Sequence, residues 1–213
     1  MWNWSENKIK LVMLRHGATA SNKEHRYVGR TDESLSLEGI QALQEAKNIY
    51  PKIDYLYASP MKRCVETAKK IYPDKDMIII SEWSEMDFGD FEGKNYAQLK
   101  DDEYYQKWID SDGTLPFPNG ESREDFIERC KRGFYKMLLH VKSYDKINNY
   151  TTIGLVVHGG TIMSLLSTFC NGKYFDYQVE NGHGYICTLK EKQGYLELVE
   201  VQKIGQEFSN CEE

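Results

Sequence analysis

The 213-residue chain lacks most of the signatures that mark common function classes. No apolar run approaches the roughly 20 residues that span a bilayer, so no membrane partner is expected. Its five cysteines, Cys64, Cys130, Cys170, Cys187 and Cys211, are odd in number, scattered and never in C-x-x-C spacing. Reduced thiols in a cytoplasmic protein are the simple reading. Met1 to Lys10 carries two tryptophans among polar residues, which does not resemble a secretory leader. H-E-x-x-H and H-x-x-x-H are absent, so no metal site is expected. A Walker loop, G-x-G-x-x-G and G-x-S-x-G are also missing, which removes nucleotide-fold and serine-hydrolase readings. A net charge of −6 argues against nucleic acid as a partner but permits a local basic pocket. No internal repeat, low-complexity tract or linker interrupts the chain, so one domain over residues 1–213 is expected.

What is present begins with four apolar residues, Leu11 to Leu14, running into Arg15, His16 and Gly17. That pattern reads as a buried strand stopping at a turn. A polar loop follows, with Asn22, His25, Arg26, Gly29 and Arg30. Ser36 is a candidate N-cap for a helix whose apolar face is Leu37, Ile40, Leu43 and Ala46. Ile53 to Ala58 reads as a second strand, and Ser59–Pro60 as the start of a helix carrying Arg63 in its first turn. Met77 to Ile80 reads as a third, buried strand. Tyr96 to Trp108 is expected to be helical. Ser122-x-x-Asp125 opens a long helix with Phe126, Cys130, Phe134, Met137 and Val141 in register. The polar segment Lys142 to Tyr150 leads to a fourth strand, Thr152 to Val157, ending in His158–Gly159–Gly160 before a helix from about Thr161 to Phe169. Tyr185 to Leu189 and Tyr195 to Val201 form a closing hairpin, and the tail from Lys203 is expected to be loosely held. Strands alternating with helices predict an α/β fold, a mainly parallel central sheet with helices on both faces.

Ligands of such sheets sit beyond the carboxyl ends of the strands. Arg15 and His16 follow the first strand, Arg63 the second, Glu85 the third and His158 the fourth. Two arginines, two histidines and helix N-terminal amides suit a dianionic oxyanion. A carboxylate there is a poor phosphate ligand and a better proton donor or acceptor. Singly, each has a plainer reading: a packed histidine, a solvated helix arginine, a loop glutamate. Their common position after successive strands is what joins them. The two histidines could also ligate zinc, but flanking arginines would repel a cation. His140 and His183 have no partner legible in the sequence.

These residues resemble the histidine phosphatase superfamily, the phosphoglycerate mutase-like proteins, from about Leu11 to Leu189. The resemblance is carried by Leu14–Arg15–His16–Gly17 with Thr19 and Asn22, by Tyr27–Val28–Gly29 through Gly39, by Ser59–Pro60 with Arg63, Thr67 and Ala68, and by Val157–His158–Gly159–Gly160. Glu85 to Gly93 and Pro118 to Ser122 look most like the α-ribazole phosphatase branch, with Phe91 where a tryptophan is usual. The resemblance implies a three-layer α/β sandwich and a cofactor-free phosphomonoesterase acting on a small phosphorylated metabolite. His16 would be the nucleophile, Arg15, Arg63 and His158 would hold the phosphoryl oxygens, and Glu85 would be the proton donor and acceptor. Asn22, Gly29 and the Gly159 amide would add phosphate contacts.

The same chemistry serves a phosphoglycerate mutase or a fructose 2,6-bisphosphatase if the acceptor or substrate differs. A phospho-ligand binding protein without catalysis is the non-enzyme alternative. Mutases of the family resemble one another in a basic lid with an arginine pair. The corresponding segment here, about 94–120, is acidic and aromatic (Asp101, Asp102, Glu103, Tyr104, Tyr105, Trp108), which favours a phosphatase. Those aromatics could stack on a substrate ring or simply pack the lid on the core.

Overall fold

The computed structural model describes residues 9–143 and 151–205. Most of the expected polar connector Lys142 to Tyr150 and of the tail from Lys203, with Cys211, lies outside the described residues. In chain order the elements are β1 (Ile9–Arg15), α1 (Ala20–Lys23), α2 (Leu37–Glu45), β2 (Tyr55–Ala58), α3 (Lys62–Ile71), β3 (Met77–Ile79), α4 (Tyr96–Leu99), α5 (Glu103–Asp110), α6 (Arg123–Lys142), β4 (Thr152–Val157), α7 (Gly159–Phe169), β5 (Gly184–Lys192) and β6 (Tyr195–Lys203). The strands form one sheet in the order β3-β2-β4-β1-β5-β6. Pairings among β3, β2, β4 and β1 are parallel, while β5 runs antiparallel to both β1 and β6.

Side-chain alternation along β1 divides the core into two layers. Leu11 and Met13 join Ile153, Leu155 and Val157 of β4 under α6 and α7, which contribute Phe126, Cys130, Phe134, Ile162 and Leu165. Val12 and Leu14 face the other way, with Leu56, Ala58 and Val156, against Cys64 and Ala68 of α3. A central strand buried on both sides must be apolar throughout, which is why Leu11 to Leu14 carries no alternation. Each polar end of this fold is therefore left to the loops beyond the strands.

Four local expectations are corrected. Leu37 is exposed, because it is the first helical residue after the Ser36 cap and points off the sheet; Leu43 and Gly39 carry the buried side of α2. β3 is an edge strand of three residues, so Met77 and Ile78 are only half-buried and Ile79 is exposed. The helix expected over Tyr96–Trp108 breaks in two, and Asp102 caps the second piece by accepting from the Tyr105 amide. Ser59 does not cap α3, which starts at Lys62 after Met61.

Candidate active site

β1 and β4 are parallel neighbours, with Arg15 paired to Val157. The next residue of each strand is a histidine, so His16 and His158 emerge side by side, ring centroids 5.2 Å apart and tilted by 67°. His16 is 3% exposed. Its Nδ1 lies 2.8 Å from the carbonyl oxygen of Gly17. A carbonyl only accepts, so Nδ1 carries the proton and Nε2 keeps its lone pair. Burial, with Arg63 and Arg15 nearby, holds the His16 pKa well below 6.5, so the ring is neutral.

His158 is buried completely and stands at the N-cap of α7. Its Nε2 lies 2.7 Å from Ser59 Oγ, which itself accepts from the Met61 amide at 3.4 Å. A Ser59 hydroxyl that donates to Nε2 places the imidazole proton on Nδ1; Cys64 Sγ lies 3.6 Å from Nε2 and 3.8 Å from Nδ1. Nδ1 is 3.7 Å from Glu85 Oε2. Burial first, then Arg63, lowers the His158 pKa well below 6.5, while burial raises that of Glu85 above 4.5. Both directions favour a neutral imidazole beside a carboxylic acid over an ion pair.

Arg63, in the first turn of α3, is 1% exposed. Its guanidinium donates to the carbonyls of Thr31 (3.0 Å), Gly29 (3.2 Å) and Val28 (3.3 Å). Glu92 pins that loop by accepting from the Gly29 and Thr31 amides, each at 2.9 Å. This corrects the expectation for Gly29: its amide is engaged by Glu92, and its carbonyl orients Arg63. Thr67 ties the two motifs together, donating to the Arg63 carbonyl (2.6 Å) and accepting from the Gly17 amide (2.9 Å).

Arg15 donates from one terminal nitrogen to the Val179 carbonyl at 2.8 Å. Its buried Nε has no partner among the described residues. Burial lowers its pKa, with Glu85 opposing. Arg15, Asn22, Glu85, Gly159 and Gly160 line a cavity of about 1090 Å³; His16, Arg63 and His158, all buried, are not among its lining residues. Met86, Phe88, Trp108, Phe117 and Phe175 give it an aromatic and apolar wall, and the charged Arg26, Arg123, Glu180 and Lys203 line it as well. The segment 94–120 packs on the core and also contributes to the cavity wall. Leu99 and Tyr105 pack into the core, while Trp108 and Phe117 face the cavity as well.

Sequence reasoning missed three groups that hold the site. Ser59 orients His158. Arg129 of α6 directs donors to the carbonyls of Glu82, Ser84 and Glu85 and to both oxygens of Glu121, fixing the segment that carries Glu85. Asn181 reaches the backbone of His16. Their contacts with His158, the Glu85 carbonyl and the His16 carbonyl each span 44 or more residues of chain, which spacing does not show. Ser59 stands in a motif of the resemblance, but that motif does not show its role beside His158. A fourth omission concerns charge. The lid is poor in cations, but Arg123 reaches the same cavity from the start of α6, its guanidinium 5.4 Å from the Tyr174 ring centre and 5.7 Å from that of Phe175. His140, without a legible partner in the sequence, bonds the Tyr57 hydroxyl at 2.9 Å. His183 lines the cavity.

Among curated relatives, adenosylcobalamin/α-ribazole phosphatase of Escherichia coli is 25% identical over 209 residues, covering 93% of this chain and 99% of that protein. The 2,3-bisphosphoglycerate-dependent phosphoglycerate mutase of Bartonella bacilliformis is 30% identical over 168 residues, covering 73% and 79%. The crystal structure of a mutant phosphoserine phosphatase from Entamoeba histolytica, in complex with phosphoserine, superposes with a TM-score of 0.73 at 27% identity, covering 91% and 96%. Residues 11–202 match the histidine phosphatase superfamily (branch 1). With two histidines and two arginines meeting at the strand ends and that match running from β1 to β6, the chain belongs to the histidine phosphatase superfamily and is a phosphatase enzyme of that family.

Proposed function

We propose that the protein is a metal-independent phosphomonoesterase that passes the phosphoryl group of a small metabolite to His16 and then to water, with α-ribazole 5′-phosphate or a related ring-bearing molecule as substrate. The observation that carries this reading is a neutral His16 whose Nδ1 proton is held by the Gly17 carbonyl, between two arginines. Nε2 attacks phosphorus; the P–N bond forms as the P–O bond to the leaving alkoxide breaks. Glu85, whose pKa burial raises above the usual carboxylate value, gives the alkoxide its proton. Arg15, Arg63 and the His158 Nδ1–H hold the phosphoryl oxygens through the transition state, where such preorganised donors contribute most. Asn22 and the Gly159 amide add hydrogen bonds. In the second step Glu85 takes a proton from water, the water oxygen bonds phosphorus, and His16 leaves with its electron pair. The guanidinium groups supply the positive charge that this chemistry requires.

The aromatic walls of the cavity support a leaving group with a flat ring, as in the compound named for the E. coli relative. Arg123 favours a second reading, a leaving group carrying an anion, such as the phosphoserine named for the Entamoeba structure. The four free cysteines among the described residues suit the reducing cytoplasm.

Phosphate release from α-ribazole 5′-phosphate, phosphoserine, 3-phosphoglycerate and fructose 2,6-bisphosphate, with chelator present, tests the proposal. Preference for α-ribazole 5′-phosphate, absent in His16→Ala, is the expected result. Preference for phosphoserine moves the assignment to the second reading. Isomerisation of phosphoglycerate without phosphate release makes the protein a mutase, and turnover that survives His16→Ala overturns the mechanism.

A further inference from the structure

The loop between α7 and β5 wraps behind the end of β1. Its Gly182 amide donates to the carbonyls of both Arg15 and His16 at 3.1 Å. Within it, the Asn181 side chain makes two hydrogen bonds from one nitrogen: Nδ2 to the His16 carbonyl at 3.1 Å, and Nδ2 to Asn22 Oδ1 at 3.0 Å. Side-chain amides are often ambiguous, since nitrogen and oxygen differ little in scattering or shape. Here two backbone groups remove the ambiguity. The His16 carbonyl can only accept, so the Asn181 atom facing it is nitrogen. The Thr19 amide can only donate, so the Asn22 atom 3.2 Å from it is oxygen. Both demands agree on the Asn181–Asn22 contact, a donor meeting an acceptor.

We propose that Asn181 is a positioning residue for phosphoryl transfer, orienting Asn22 so that its Nδ2 faces the cavity while bracing the backbone of the nucleophile. Asn22 Oδ1 has two acceptor sites, and Thr19 and Asn181 occupy both. Its amide group therefore turns its two N–H bonds away from them, toward the wall it shares with Arg15. Without Asn181, rotation of the Asn22 amide loses only the Thr19 contact, and half of the rotated states present an oxygen to an anion. The proposal rests on the reading of Asn22 as a phosphoryl ligand.

Inorganic phosphate as a competitive inhibitor of 4-nitrophenyl phosphate hydrolysis reads this directly, through a double-mutant cycle. Asn22→Ala removes one hydrogen bond to a charged group and is expected to weaken phosphate inhibition roughly 10-fold. Asn181→Ala is expected to weaken phosphate about 2-fold in the wild-type background, because half of the rotated Asn22 states stay productive, and to leave inhibition unchanged in the Asn22→Ala background. Asn181→Asp, of the same shape, turns an acceptor toward Asn22 but also adds a negative charge on the cavity wall, so it is made in both backgrounds. A loss larger in the wild-type than in the Asn22→Ala background is the expected result; equal losses in the two are charge repulsion alone and overturn the proposal. Equal factors for Asn181→Ala in both backgrounds overturn the proposal and leave Asn181 a loop-shaping residue. Unchanged inhibition in Asn22→Ala overturns the reading on which it rests, a result distinct from the first.

Discussion

Arg129→Lys is the most demanding test of how Glu85 is held. All five guanidinium N–H bonds of Arg129 are directed: Nε and one terminal nitrogen to Glu121 at 2.9 and 2.7 Å, the other terminal nitrogen to Glu82 and Ser84 carbonyls at 2.8 Å each, and a weaker contact to the Glu85 carbonyl at 3.3 Å. Although burial opposes it, Glu121 keeps this guanidinium firmly charged. A lysine keeps the charge but has three donors on one atom and cannot span both a carboxylate and the carbonyls. Leaving those buried acceptors short costs about 2–4 kcal/mol, which for a chain of this size lowers Tm by about 4–16 °C. The catalytic consequence is more specific. Glu85 is needed for an alkoxide leaving group and hardly at all for 4-nitrophenolate. Displacing it by about 1 Å is expected to cost about 10²-fold on an alkyl phosphate and less than about 5-fold on the activated aryl ester, a bound set by general-acid contributions of 10²–10⁴-fold. In Arg129→Ala, losing the nearby positive charge also raises the Glu85 pKa further, so the alkaline limb of the alkyl-phosphate profile moves up. Steady-state kinetics on both esters decide the matter. Equal losses on the two, or none on either, refute the reasoning.

Two other predictions follow from the same geometry. Turnover needs His16 neutral and Glu85 protonated; the first pKa is lowered below 6.5 and the second raised above 4.5, so the pH profile of kcat/KM should keep its activity below pH 6.5 and fall on the alkaline side as Glu85 ionises. Glu85→Gln should reduce alkyl-phosphate turnover about 10²–10⁴-fold and remove the alkaline fall from the activity that remains, while 4-nitrophenyl phosphate turnover changes little; a persisting alkaline fall on the alkyl ester assigns it to another group. Gly160→Ala should cost about 1–3 kcal/mol from overpacking and impair alkyl-phosphate turnover, because a Cβ there would lie 2.9 Å from Glu85 Oε1 and 3.0 Å from the Phe126 ring; thermal unfolding and the same two esters measure both effects.

How far the sequence reaches depends on whether a property is local. Leu11 to Leu14 announces a central strand because both its faces are buried, and that requirement is written in consecutive residues. His16, Arg63, Glu85 and His158 were legible because each follows a strand and such ends share one rim. Ser59–Pro60 misled for a comparable reason: the pair fits a helix start, and only the strand order β2-β4 reveals that Ser59 sits beside His158 instead. Gly29 stands in a loop that approaches the site, yet its amide belongs to Glu92, 63 residues away. Whether a loop glycine binds a ligand or a neighbouring side chain depends on tertiary packing, which spacing does not encode.

The three arginines show what does separate ligand-binding groups from structural ones in a shared neighbourhood. Arg129 is saturated, its charge compensated by a bidentate carboxylate; it has no donor left for a substrate. Arg63 is more deeply buried than Arg129, but its partners are three backbone carbonyls. Carbonyl dipoles fix a guanidinium in place and offset part of its desolvation without cancelling its charge. Arg15 follows the same rule, held by the Val179 carbonyl with Nε unpartnered. No carboxylate among the described residues forms an ion pair with Arg15 or Arg63, whereas four other arginine or lysine side chains bridging to Glu82, Asp87, Glu121 and Glu128 surround the site or flank α6. Burial, with the arginines, holds both histidine pKa values low, and burial raises that of Glu85, so the groups beside the arginines lean to their neutral forms; Glu180 acts on Arg15 only through space, with no ion pair between them. Positive charge that is positioned by dipoles and left electrically uncompensated is suited to a dianion that gains a fifth ligand at phosphorus, because the field is in place before the reaction begins.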